Sequence, residues 1–147
     1  MFSKSCEYGV RAVIFIAKES TEGRKTGIKE IARQIDSPEA FTAKILQLLS
    51  KRKIITSVKG PSGGFYIPEE SLSQIKLVEI ISAIDGDDVF KNCALGLGEC
   101  TGNTSPSPCP LHHEFNRIRE DLEVMLCSTS IKDLTLSLHS EPTFLKR

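Results

Sequence analysis

Apolar side chains recur along this chain at two periods, and the change of period marks out its elements. In residues 26–35, Ile28, Ile31, Ala32 and Ile35 fall at the i, i+3, i+4, i+7 spacing of a short amphipathic helix, with Thr26 placed to cap its start. Asp36 and Ser37 break it. Ser37 can cap a second helix and Pro38 suits its first position; Phe41, Ile45, Leu48 and Leu49 then mark one apolar face through about Arg52. The period shortens next. Two β-prone runs, residues 54–58 and 65–67, flank Lys59-Gly60-Pro61-Ser62-Gly63-Gly64, which reads as a β-hairpin whose glycines supply positive φ. Helical spacing returns at Leu77, Val78, Ile80, Ile81 and Ile84, in a helix ending near Gly86, and again at Ile131, Leu134 and Leu138, beyond which the chain frays through Pro142.

Between these last two stretches, Leu111, Phe115, Ile118, Leu122 and Met125 step by four, three, four and three, a heptad seam on a helix spanning residues 110–127. That helix is about 25 Å long. Its other faces carry Glu114, Arg117, Arg119, Glu120, Asp121 and Glu123, and an apolar seam with charged flanks fits pairing with a second copy of the chain. The run Val13-Ile14-Phe15-Ile16-Ala17 is far too short to span a bilayer.

Two short helices meeting across a tight turn form a helix-turn-helix, whose second helix presents its N-terminal residues to the major groove, and the hairpin that follows is placed as the wing of a winged helix. The expected fold is therefore mainly α with a small β-hairpin wing: a winged helix-turn-helix domain over residues 1–86, a cysteine-rich loop over 87–112, and a dimerisation helix with its tail over 110–147. On the second helix, the face opposite the apolar stripe carries Glu39, Thr42, Ala43, Lys44 and Gln47. Ser37 in the turn and Ser57, Lys59, Pro61 and Ser62 of the hairpin complete the candidate DNA-contacting set.

Charge supports that reading only locally. The 147 residues carry 19 basic and 19 acidic side chains, so nothing global points to nucleic acid. Between Arg24 and Lys59, however, nine basic residues face three acidic ones (Glu30, Asp36 and Glu39), a local excess of six, which is the footprint of a phosphate-binding module joined to an acidic remainder.

The chemistry lies further on. Cys93, Cys100, Cys109 and His112, spaced C-x6-C-x8-C-x2-H, sit in a stretch rich in glycine and proline with too little apolar content to fold by burial. Three thiolates and an imidazole are the donor set that zinc and iron-sulfur clusters take, and wide, glycine-bearing gaps suit a loop wrapped around a larger object such as a cluster. Cys109 also lies just before a helix N-terminus, where the dipole favours thiolate. Five cysteines with no secretory signal pattern read as reduced thiols or metal ligands in a cytoplasmic protein.

From Thr26 to Ile67, with the turn Asp36-Ser37-Pro38 and the wing Ser57-Val58-Lys59-Gly60-Pro61-Ser62-Gly63-Gly64-Phe65, the chain resembles the winged helix-turn-helix domain of the IscR/NsrR family of bacterial transcription regulators. The opening Tyr8-Gly9-Val10-Arg11-Ala12 and the three-cysteine loop extend the resemblance over nearly the whole chain. It implies a homodimeric repressor that binds double-stranded promoter DNA. It also implies an iron-sulfur cluster on the cysteines, lost on aerobic handling, that senses redox stress, nitric oxide or iron-sulfur supply. The gaps here are six and eight residues, where the family commonly has five and five, which leaves 2Fe–2S and 4Fe–4S open. The fourth ligand is open too. His112 stands where IscR-like proteins place a ligating histidine, Glu7 near where NsrR-like proteins bring a carboxylate from the partner subunit, and Cys6 is beside it.

Enzymatic readings find no support. A thiol oxidoreductase would show a C-x-x-C pair, and neither a phosphate loop nor a zinc-hydrolase helix motif is present. The alternative that stays open is a winged-helix regulator without a cluster, stabilised by zinc or sensing through its thiols or a protein partner.

Overall fold

A computed structural model describes residues 2–93, 95, 96, 98, 99 and 107–140, with the side chains of residues 139 and 140 left aside. The element order is α1 (Lys4–Thr21), α2 (Ile28–Ile35), α3 (Glu39–Lys51), β1 (Thr56–Val58), β2 (Gly64–Tyr66), a 3-10 turn (Glu69–Ser71), α4 (Leu77–Ile84), α5 (Asp88–Lys91), α6 (His112–Ser128) and α7 (Ile131–Ser140). The fold is mainly helical with one small antiparallel hairpin, a winged helix-turn-helix.

α1 is the axis of the core. Ser3 caps it, its Oγ accepting the Cys6 amide at 3.0 Å. The apolar run foreseen at residues 13–17 has Val13, Phe15, Ile16 and Ala17 buried against Ile31 and Ile35 of α2, Ile45, Leu46 and Leu49 of α3, and Ile131 of α7. Among the described residues no helix is long and apolar enough to cross a membrane. α7 begins with a reciprocal cap, the Ser130 amide donating to Asp133 at 2.9 Å and the Asp133 amide to Ser130 Oγ at 3.2 Å, which seats the end of the described chain beside α1.

The helix-turn-helix forms where the periodicity placed it, with two shifts. Thr26 does not cap α2; its amide donates to the Phe65 carbonyl at 3.0 Å and its carbonyl accepts from Phe65 at 2.8 Å, so its backbone is used by the wing and Gly27 becomes the cap. Asp36, in the left-handed region at φ 54, ends α2. Pro38 is the cap of α3 rather than its first residue, with extended ψ of 135. The inward face of α3 is Ile45, Leu46 and Leu49; Leu48, read as apolar-face, is 44% exposed.

The wing pairs Thr56 with Tyr66, Ser57 with Phe65 and Val58 with Gly64. The flanking Ile54, Ile55 and Ile67 are core residues rather than strand. Two glycines are required. Gly64 has φ +141 and lies against the Thr26 backbone, and a Cβ on Gly63 would stand 2.2 Å from the Val58 carbonyl oxygen. Gly63→Ala is therefore expected to force the hairpin tip apart, destabilising the protein by about 1–3 kcal/mol. A lowered urea midpoint together with weakened DNA binding checks this; an unchanged midpoint contradicts it.

Candidate nucleic-acid interface and metal centre

The exposed face of α3 gathers Glu39, Lys44 and Gln47 of the predicted set, with Ala43 half-buried and Ser37 half-buried in the turn before it. Thr42 is not on that face. It is fully buried, its hydroxyl donating to the Pro38 carbonyl at 3.0 Å and pairing with the Ser37 hydroxyl at 3.1 Å, so it fastens the start of α3 to the turn. Ala40, Leu48 and Lys51, none of them in the predicted DNA-contacting set, share the exposed side with Lys44 and Gln47 at helical spacing.

The local excess of positive charge is displayed, not neutralised. Arg24 is paired with Glu19 and Glu22, and Lys25 lies 5.7 Å over the Tyr66 ring, but Lys29, Arg33, Lys44, Lys51, Arg52, Lys53 and Lys59 are all exposed. Ser57, Lys59, Pro61 and Ser62 are exposed on the wing, whose tip turns at Gly60 with φ +107. Lys59→Ala is expected to weaken DNA binding across sequences and to reduce the slope of log affinity against log salt by about 1, because one phosphate-bound cation is lost. Titrations at several salt concentrations measure both, and an unchanged affinity and slope would remove Lys59 from the interface.

Glycine conformation shapes the cysteine loop. Gly96 and Gly98 have φ +70 and +85, Gly98 accepts the Cys93 amide at 2.8 Å, and Asn92 pairs with Glu99 in an isolated antiparallel bridge. Cys93 and Cys109 are half-buried thiols with their sulfurs 3.9 Å apart. Cys100 lies outside the described residues. His112 opens α6, 3% exposed, its amide donating to the Cys109 carbonyl at 2.9 Å and its ring edge-on to His113 at 5.1 Å. Among the described residues no three His, Cys, Asp or Glu side chains converge on one point, so the geometry brings together Cys93 and Cys109 but not His112 or Glu7 with them. The Cys93–Cys109 spacing nevertheless fits a shared metal: thiolates on one tetrahedral ion with bonds of about 2.3 Å stand roughly 3.8 Å apart.

The other two ligand candidates differ sharply. The Glu7 carboxylate is accessible and meets Lys4 Nζ at 2.7 Å. Cys6 is fully buried with Ile81 and Leu126, and burial, then the neighbouring Asp85 carboxylate, pushes its thiol up to about 12, so it stays protonated and is a poor ligand. Sequence reasoning also missed Arg119. It was placed on a charged flank, but it is 8% exposed and donates to the Asn92 carbonyl at 3.1 Å and to Asn116 at 2.6 Å. One end of the cysteine loop is thereby held on α6. The available signal was the spacing of His112, Arg119 and Leu126 by sevens, one stripe beside the apolar seam.

The seam itself divides. Leu111, Ile118 and Met125 are 48%, 59% and 46% exposed, whereas Phe115 and Leu122 are half-buried. Leu122 packs on the cluster of Cys6, Ile81 and Leu126.

Comparison with known proteins agrees with this architecture. A putative HTH-type transcriptional regulator of Aquifex aeolicus is 31% identical over 91% of this chain and 90% of its own length. The regulator IscR of Xenorhabdus nematophila is 26% identical, covering 86% of this chain and 74% of its own. NsrR of Oceanobacillus iheyensis is 26% identical over 89% and 86%. Among solved structures, the global cysteine regulator CymR of B. subtilis superposes with a TM-score of 0.76 at 22% identity, covering 93% of this chain and 97% of that one. IscR of T. potens superposes with a TM-score of 0.70 at 20% identity, over 97% and 89%. Residues 2–136 match the Rrf2 family, described as iron-dependent transcriptional regulators. A winged helix-turn-helix with a displayed basic face, relatives that are regulators rather than enzymes, and a family match across nearly its full length establish that this chain belongs to the Rrf2 family of transcriptional regulators.

Proposed function

We propose that this regulator is a cytoplasmic homodimeric repressor whose hold on a near-palindromic promoter site is set by an iron-sulfur cluster on Cys93, Cys100 and Cys109. In this reading α3 lies in the major groove, Lys59 of the wing reaches the adjacent backbone, and half-sites stand about one helical turn apart. Residues 1–86 bind DNA, 87–112 hold the cluster and 110–147 carry the dimer helix and tail. The observation that carries it is the pair of sulfurs 3.9 Å apart at the N-terminus of α6, the helix that also exposes Ile118 and Met125. A change at the loop is thus applied directly to the proposed dimer seam.

The same spacing favours 2Fe–2S. In that cluster two thiolates share one iron, whereas in a 4Fe–4S cubane each iron carries a single cysteine and the thiolates stand well apart. Cys93 and Cys109 would then share an iron, leaving Cys100 and His112, or Glu7 of a second copy, for the other. When bound, the group supplies a charge and stability that change with redox state, nitric oxide and iron supply. The chain's own part is positional: Arg119 holds the Cys93 end of the loop and the His112 amide holds Cys109.

A tetrahedral zinc site is the second reading, favoured by the same 3.9 Å pair. Purification without oxygen, iron and sulfide analysis, and visible and Mössbauer spectra separate the two. A brown protein whose operator affinity changes about 5–150-fold on cluster removal is the expected result. Colourless protein with stoichiometric zinc overturns the cluster reading and supports the zinc one.

A further inference from the structure

We infer that Cys93 and Cys109 form a redox pair that closes to an intramolecular disulfide when no metal occupies the loop. Their sulfurs are 3.9 Å apart, and both side chains are partly open to solvent. Closing the bond brings the sulfurs from 3.9 Å to about 2.05 Å, and the chain between them includes Gly96 and Gly98, both in the left-handed region.

The pair is held in register from both sides. Arg119 of α6 donates to the carbonyl of Asn92, next to Cys93, and the Cys93 amide donates to Gly98 at 2.8 Å. Cys109 is fixed to the first turn of α6 through its carbonyl and the His112 amide at 2.9 Å. Neither Cys6 nor Cys127 competes. Cys6 is fully buried in an apolar cluster. Cys127 is exposed near the opposite end of α6, fifteen residues beyond His112 and so roughly 22 Å along the helix.

The oxidant is a hydroperoxide. One thiolate attacks the distal peroxide oxygen, breaking the O–O bond and releasing the alcohol or water, and becomes a sulfenic acid. The second thiol attacks that sulfur, forms the S–S bond and expels the hydroxyl as water. Two S–H bonds and one O–O bond are lost, one S–S bond and two O–H bonds are gained, and two electrons pass from the sulfur pair to the peroxide. A dithiol reductant reverses the reaction by exchange.

The disulfide removes two of the three proposed thiolate ligands and staples the loop to α6, so oxidation blocks metal loading until the pair is reduced. That consequence rests on the metal-site reading; the formation of the disulfide does not. The test uses full-length protein stripped of metal with a chelator, treated with hydrogen peroxide, and mapped by mass spectrometry of non-reduced peptides. A peptide joining Cys93 to Cys109 is the expected result. It should persist in Cys100→Ser, vanish in Cys93→Ser and Cys109→Ser, and be reversed by dithiothreitol. Ferrous iron with sulfide should load the reduced protein and fail to load the oxidised one. A bond from either residue to Cys100, a chain-to-chain bond through Cys127, or no disulfide at all overturns the inference. If the Cys93–Cys109 bond forms but the reduced protein takes up no iron, the redox pair stands and the cluster reading falls.

Discussion

Ile118→Lys combined with Met125→Lys is expected to give a folded monomer that has lost about 100-fold or more of its operator affinity, because two half-site contacts no longer act as one linked event. Both residues are on the exposed stripe of α6, at 59% and 46%, so in the isolated chain lysine there replaces apolar surface already in water and changes stability little. In a twofold pairing through that stripe, four ammonium groups meet where apolar side chains should, and the desolvation cost has no partner to offset it. Leu122 is the wrong residue for this test despite its place in the heptad. It is half-buried on Cys6, Ile81 and Leu126, so a lysine there would damage the chain's own core and mimic loss of the dimer. Sedimentation velocity, a thermal melt by circular dichroism and operator titration separate the outcomes. A doubly substituted protein that still sediments as a dimer places the interface elsewhere.

Periodicity revealed α2, α3, α4 and α7 because each buries one apolar stripe: Ile31 and Ile35, Ile45 and Leu49, Ile80 and Ile81, and Ile131 are all buried. It failed where a long-range partner decides. Thr26 looks like a cap, but the Phe65 strand, 39 residues later, claims its backbone. Thr42 reads as polar surface, yet a local carbonyl and hydroxyl satisfy it and let it be buried. Arg119 is buried because the loop supplies the Asn92 carbonyl, a partner 27 residues away in the chain. The short α5 has no stripe to announce it. At the candidate site, spacing alone proposed the donors, and the structure adds that Cys93 and Cys109 are neighbours.

The proposed loop site and the proposed dimer seam meet on one helix. α6 begins at the ligand candidates, buries Arg119 against the loop root and Leu126 against α1 and α4, and leaves the intervening Ile118 in solvent. Asn92 and α6 are thus joined through the Arg119 side chain, and the residue before Arg119 is the exposed Ile118.

Ligand substitution is where the largest change is expected. Cys93→Ser and Cys109→Ser should each give protein that is pale and depleted of iron, since a serine hydroxyl, a far weaker acid than a thiol, is a much poorer ligand for iron. Neither cysteine is among the buried core residues, so the DNA-binding unit should melt within a few degrees of the unsubstituted chain in its metal-free state. Cys6→Ala should leave colour intact and lower stability instead, because the Cys6 thiol is buried and protonated. His112→Ala is the sharper experiment. The substitution keeps the amide that donates to the Cys109 carbonyl, so the loop's anchor on α6 survives and only the imidazole is lost. A shifted or bleached visible spectrum in His112→Ala, with Glu7→Ala unchanged, identifies the histidine as the fourth donor. The reverse assigns the site to a carboxylate, and Glu7, partly exposed and in contact with Lys4, is the candidate for it from a second copy. Full iron content and unaltered spectra in the Cys93 and Cys109 variants would show that no cluster is held at this loop.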